Sequence, residues 1–203
     1  MTSPISSAPL TSSRKDKPLA GEQIAILIAN GFNEDEMTQA QRALLETGAR
    51  IKIVSLENGL AHGWHDGSWG HYFAVDEQLS SALAADYSML LIPGGQRSLD
   101  KLKQTAHTAR FVKGFMSVGK PVAVYGDAVQ MLAHVGLAEG RAVTGDAGQQ
   151  AALTAAGASW SSEGVAIDGN LLTGQVSSDS LSGLIAATVA HFVNIPSDLR
   201  MAA

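Results

Sequence analysis

"KPVAVYGDAV", residues 120–129, decides the fold. Val122 to Tyr125 read as a buried strand, Gly126 and Asp127 as a tight turn, and Ala128 as the start of a helical pattern. Many α/β enzymes hold out a nucleophile on such a strand–turn–helix corner. Here the corner residue is glycine, which has no side chain to hold out.

Working outward, "DYSMLLIPGG" (86–95) and "QIAILIAN" (23–30) are also short apolar runs that end in turn residues. Neither alternates, as expected of strands covered on both faces in a parallel sheet. "NEDEMTQAQRALLETGA" (33–49) predicts a helix, with acids in its first turn and Met37, Ala40, Leu44 and Leu45 at helical spacing. "RIKIVSL" (50–56) is a further strand, 59–72 a connection rich in Gly, His and Trp, and "YFAVDEQL" (72–79) an extended segment. A helical pair is expected after Gly95, its second member placing Phe111, Val112 and Phe115 mainly on one side. Beyond the elbow come a helix over 128–140, a short strand over 141–145, a helix over 147–158, and two strands within 164–174 around Asp-Gly-Asn. A helix over 179–193 closes the pattern. Alternating strand and helix predict an α/β fold: a doubly wound, mainly parallel sheet with helices on both faces. Ligands of such sheets bind outside the carboxyl ends of the strands, where "ANGFNEDE", "PGG" and "YGDA" all fall.

The chain has 203 residues, 45% hydrophobic and 16% charged, with 14 basic against 19 acidic side chains. A net charge of −5 without a basic run argues against nucleic acid as a partner. The absence of cysteine excludes a disulfide framework, a thiolate metal site and a cysteine nucleophile. Residues 1–21, rich in Ser, Thr and Pro, are expected to be a disordered tail, 22–195 one domain, and 196–203 a C-terminal tail. No apolar run reaches the length of a membrane span or a signal segment, so no membrane partner is expected and the cytoplasm is the expected compartment.

These strand ends resemble the ThiJ/PfpI superfamily, relatives of the glutamine-amidotransferase domain, over roughly residues 22–193. "GFNEDE" is similar to its Gly-Phe-Glu-Asp-x-Glu segment, "LLIPGG" to its Pro-Gly-Gly strand end, and "GLAEGRAVTG" to the segment after its nucleophile helix. "GWHDGSWG", "FAVDEQL" and "GASWSSEGVAIDGNLLTG" resemble the intracellular protease or amidase branch. The resemblance implies a flavodoxin-like fold and a homodimer or larger homo-oligomer. It also implies a site made of an elbow cysteine, a glutamate from the first helix and a backbone oxyanion hole. Carried over by position, the glutamate is Glu36, the glycine loop is Gly94 and Gly95, and the cysteine falls on Gly126. The His-Gly-Pro that follows the cysteine becomes Asp127, Ala128 and Val129, so the elbow departs from the pattern throughout. "YGDA" is similar to the turn of the flavodoxin-like domain appended to large-subunit catalases, which also lacks the cysteine.

The reading is therefore a homologue without a nucleophile, acting as a binding, regulatory or assembly module, with no cofactor. Amides near Gly95 and Asp127 would favour a small anionic or carbonyl ligand. The alternative is a hydrolase or lyase on small carbonyl or amide compounds, with Glu36 and Asp127 as acid and base acting through water. A third possibility is a decayed paralogue kept for its fold. Plainer roles also exist: Glu36 as an acid near a helix N-terminus, and Asp127 as the cap of the helix after it. His62, His65, Asp66 and His71 lack a known ligand spacing, so no metal site is assigned, and Trp64 and Trp69 are expected to cover apolar surface. His107, His134 and His191 read as surface or satisfied core residues.

Overall fold

The computed structural model describes residues 17–200. The strands in chain order are β1 (Gln23–Ile28), β2 (Phe32–Asn33), β3 (Arg50–Ser55), β4 (Leu60–His65), β5 (Ser68–Ala74), β6 (Glu77–Gln78), β7 (Met89–Ile92), β8 (Val122–Tyr125), β9 (Ala142–Val143), β10 (Ser159–Trp160), β11 (Val165–Asp168) and β12 (Leu171–Gly174). The helices are α1 (Glu34–Glu46), α2 (Gln96–Leu102), α3 (Ala106–Ser117), α4 (Gln130–His134), α5 (Gln150–Ala155), α6 (Leu181–Asn194) and α7 (Ser197–Arg200).

The main sheet has the order β11-β12-β8-β7-β1-β3-β6. Its strands run parallel except for β11, which pairs antiparallel with β12. Register places Ile53, Ile26, Leu91, Ala123 and Leu172 in one row across the sheet. Because side chains alternate along a strand, Ile24, Ile26 and Ile28 enter one core with Met37 and Leu44 of α1 and Leu184 and Phe192 of α6. Ala25, Leu27 and Ala29 enter the opposite core with Phe111 and Phe115 of α3 and Leu132 of α4. Each fully buried Leu or Ile contributes about 1.5–3 kcal/mol, which is why continuous apolar strands demand helices on both faces.

α1 begins where Asn33 Oδ1 accepts the Glu36 amide at 3.2 Å. Its first turn carries Glu34, Asp35 and Glu36, the favourable sign for a helix N-terminus. Tyr125, at the end of β8, is fully buried and donates to Thr188 Oγ1 at 2.7 Å, tying the elbow strand to α6. Lys120 is buried as well, and its Nζ donates to the Ala84 carbonyl at 3.0 Å.

Four local readings change. Residues 59–72 are a hairpin rather than a connection: β4 pairs antiparallel with β5 across Asp66-Gly67, and β4 also pairs with β2. Asp66 takes φ +47° and Gly67 φ +76°, the backbone a tight two-residue hairpin requires. The strand at 141–145 shortens to β9 and leaves the main sheet, pairing with β10. The helix placed at 128–140 is a 3-10 turn over Gly126–Val129 followed by the short α4. Both ends of the domain also reach further than 22 and 195. Leu19 is buried in the core with its amide on the Thr47 carbonyl at 3.1 Å, and Arg200 of α7 reaches Glu22 Oε1 at 3.3 Å. The remainder of the two tails, 1–16 and 201–203, lies outside the described residues. Among the described residues, no helix is long and apolar enough to cross a membrane.

Candidate functional site at the strand ends

Three chain segments meet at the carboxyl ends of β1, β7 and β8. β8 is buried along its length and turns at Gly126, which adopts φ +53°, a conformation that suits glycine. After β7, Gly94 and Gly95 pass between the first turn of α1 and this elbow. The Gly94 carbonyl accepts the Asn33 amide at 2.7 Å. Its own amide donates to Glu36 Oε2 at 2.7 Å, and the Gly95 amide donates to Asp127 Oδ1 at 2.9 Å.

Glu36, Gly94, Gly95, Gly126 and Asp127, the residues named from the sequence, are thus brought together. The two carboxylates flank one point: a Cβ built on Gly94 would lie 2.6 Å from Asp127 Oδ1 and 3.0 Å from Glu36 Oε2. Glu36 is 4% exposed, so its carboxyl points into the fold rather than serving the helix end from the surface. Asp127 lies within the 3-10 turn rather than capping a helix, and neither that turn nor α4 has a side-chain cap; its side chain holds the Gly95 amide at the start of α2 instead.

A third carboxyl, Asp146, escaped the sequence reading. Its amide donates to the Gly126 carbonyl at 3.4 Å, its Oδ1 accepts the Val176 amide at 3.4 Å, and its carboxylate lies beside Gly126. The only signal was Thr-Gly-Asp at the end of a short strand, and that strand does not belong to the main sheet.

Burial sets the electrostatics. It pushes the Glu36 carboxyl up to about 8, with the charges of Asp127 and Asp146 adding and the Gly94 amide opposing. Asp127 is raised by burial and by Asp146 against the Gly95 amide, and Asp146 is raised by burial against the Val176 amide. The cluster therefore holds protons more tightly than free carboxylates, so a protonated Glu36 can donate a hydrogen bond near neutral pH. Beside it, a small cleft of about 230 Å³ runs between Asn33 and Glu36 on one side and Val176, Ser177 and Leu181 on the other. A larger cleft of about 660 Å³ lies between α1 and α6, but among the described residues Glu46 is the one acid or base that lines it.

The histidines of the β4–β5 hairpin point in separate directions. His62 stacks on Trp69 and Tyr72, with ring centroids 4.6 and 3.9 Å away, and its Nε2 meets the Gly70 carbonyl at 3.1 Å. His65 lies 3.1 Å from Asp35, while His71 meets Glu34 at 2.5 Å. Burial works against the charge on Glu34, but the His71 bonds outweigh it and hold this carboxyl below its ordinary range. Among the described residues no group of three such side chains is arranged to hold a metal ion. Trp64 stacks beneath the Arg97 guanidinium at 4.2 Å, which clasps the hairpin to α2. His191 is a satisfied core residue, its Nε2 on the Asn170 carbonyl at 3.1 Å, while His107 and His134 are exposed.

Sheet order, strand-end loops and elbow together define a flavodoxin-like α/β protein with its candidate site on the carboxyl edge of the sheet. The DJ-1/PfpI family model matches residues 22–185, and the chain belongs to that family. YraA of Bacillus subtilis is 30% identical over 158 residues, which is 78% of this chain and 91% of that protein. "Deglycase PH1704" of Pyrococcus horikoshii is 28% identical over 157 residues, 77% of this chain and 92% of its own length. Among solved structures, a two-domain protein of Anabaena variabilis with DJ-1/ThiJ/PfpI-like and ferritin-like domains matches with a TM-score of 0.77 at 26% identity. That match covers 83% of this chain and 47% of the two-domain protein.

Proposed function

We propose that the chain is a cytoplasmic, non-nucleophilic member of its family that binds a small carbonyl or amide compound at the elbow without attacking it. One observation carries the reading: the residue at the turn after β8 is Gly126, in a chain without cysteine. The resemblance puts the family's cysteine at this position, and removing a nucleophile costs a well-studied protease about a millionfold in turnover. A carbonyl or amide suits the corner better than an anion does. The amides of Gly94 and Gly95 are already engaged by Glu36 and Asp127, whereas a protonated Glu36 offers a donor to a carbonyl oxygen. The cleft of about 230 Å³ limits the guest to a small molecule.

The test is a thermal-shift survey of acetamide, methylglyoxal and acetate against wild type and Glu36→Ala. The neutral carbonyl compounds should raise the melting temperature of the wild type alone, because a ligand held only by the native state stabilises it. Equal shifts in both proteins, or none in either, would refute the assignment.

A second reading, a hydrolase or lyase working through water, is favoured by the two raised carboxyls that share one corner. The deglycase name of the Pyrococcus relative points the same way. Turnover of methylglyoxal, amides or peptides that disappears in Glu36→Gln would establish it. Assembly as a homo-oligomer, implied by the family resemblance, is proposed alongside. Light scattering on a sizing column checks it, and a monomer at micromolar concentration would refute it.

A further inference from the structure

We propose that Asp146 occupies the space above Gly126 that a nucleophilic side chain would need, so that the elbow is closed by a carboxyl group as well as lacking a thiol.

The geometry is local and specific. A Cβ built on Gly126 would lie 3.3 Å from Asp146 Oδ2, 3.4 Å from its Oδ1 and 3.3 Å from Val176 Cγ2. Contacts this close force a neighbour to yield even to a methyl group, and a sulfur beyond the methyl asks for further room. Asp146 is also fixed in place: its amide is on the Gly126 carbonyl and its Oδ1 on the Val176 amide, so it staples the elbow to the segment after β12. Its approach depends on Gly145, where a Cβ would meet the Gly126 carbonyl at 2.7 Å and Val129 Cγ1 at 2.5 Å. The corner thus combines two features, a residue without a side chain and a neighbouring loop with its acid folded over the vacated space.

Charge acts in the same direction as volume. A thiol introduced at this turn would meet the Asp146 carboxylate, and like charge disfavours a thiolate. The Lys103 cation opposes the raised affinity for a proton at Asp127. The inference leans on the proposed function only for the meaning of the corner; the occupancy itself can be read without any substrate.

Since the chain has no cysteine, Gly126→Cys creates a single reporter thiol. Its pKa and its alkylation rate with iodoacetamide can be compared in that variant and in the pairs with Asp146→Asn and Asp146→Ala. In the single variant the thiol should titrate above an exposed cysteine and alkylate slowly. Asp146→Asn, which keeps volume and removes charge, should lower the thiol pKa by about one unit, roughly tenfold more thiolate at a pH below both values. Asp146→Ala should accelerate alkylation further by opening the space. A thiol that is already reactive in the single variant, and indifferent to both second changes, would overturn the proposal. Should the cysteine variants not fold, the Gly126→Ala and Asp146→Ala stability cycle decides it. The loss in folding equilibrium caused by Gly126→Ala should shrink at least about twofold when Asp146 is already alanine, and strict additivity would overturn the proposal. The thermal-shift survey of wild type with acetamide and methylglyoxal reads the proposed function separately, so either idea can fail alone.

Discussion

Gly126 and Asp127 sit side by side at the elbow and carry opposite burdens, one of backbone conformation and one of hydrogen bonding. At φ +53°, any residue with a Cβ meets a steric penalty of about 1–2 kcal/mol before it touches a neighbour. Gly126→Ala, with its methyl also pressed against Asp146 and Val176, is expected to lose about 1–3 kcal/mol in denaturant unfolding. An unchanged midpoint would show that the turn relaxes freely. Asp127→Ala strands the half-buried amide of Gly95, and since a fully buried donor left without a partner costs about 1–3 kcal/mol, a loss of about 1 kcal/mol is expected in denaturant unfolding. Asp127→Asn keeps an acceptor oxygen and should recover most of that loss; equal destabilisation by both would deny the bond this role. Position along the chain was enough to single out both residues. It could not show that the Asp127 side chain serves α2 rather than its own turn, because that depends on where β7 lies beside β8.

At the scale of elements, the main sheet and the β4–β5 hairpin answer to different forces. Leu91 of β7 stands in the middle of the row that crosses the sheet and is fully buried. Leu91→Ala should cost about 2–5 kcal/mol, read from chemical unfolding. The hairpin instead has an exposed outer strand, with Trp69 49% and Tyr72 64% exposed, and is clasped by Arg97 stacking on Trp64. Arg97 is exposed, so Arg97→Ala should remove about 0.5–1 kcal/mol of local support. It should speed amide exchange in β4 and β5 and leave β1 and β7 protected; uniform exchange across both groups would contradict a local role. The same contrast explains what could be read beforehand. Buried strands such as β1, β7 and β8 announce themselves as apolar runs, because both of their faces need covering. β4 and β5 mix Gly, His and aromatic residues on two half-exposed faces, so the Asp66-Gly67 turn was their only clear signal.

Across the whole molecule, the site couples to stability through protonation. Glu36 titrates at about 8 in the fold, against 4.5 for an ordinary glutamate. Between those values the native state keeps a proton that the unfolded chain has released, so stability is fully present below about pH 4.5 and is lost as pH rises towards 8. The slope is at most about 1.4 kcal/mol per pH unit for this one group. Wild type should therefore melt progressively lower from pH 5 to pH 8, while Glu36→Gln, which cannot ionise, should show a flatter profile. Parallel curves would mean that Glu36 is not buried as described. The amino-acid sequence alone determined the alternation of strand and helix, the apolar strands that require a doubly covered sheet, and the glycine at the corner, because these depend only on local residue type and spacing. Tertiary structure alone decided that Asp146 leans over that corner, that Glu36 is buried deeply enough to keep its proton, and that Asp127 secures the neighbouring loop. Those features arise from segments far apart in the chain, and only the order of strands in the sheet sets the distances and the exclusion of water that govern them.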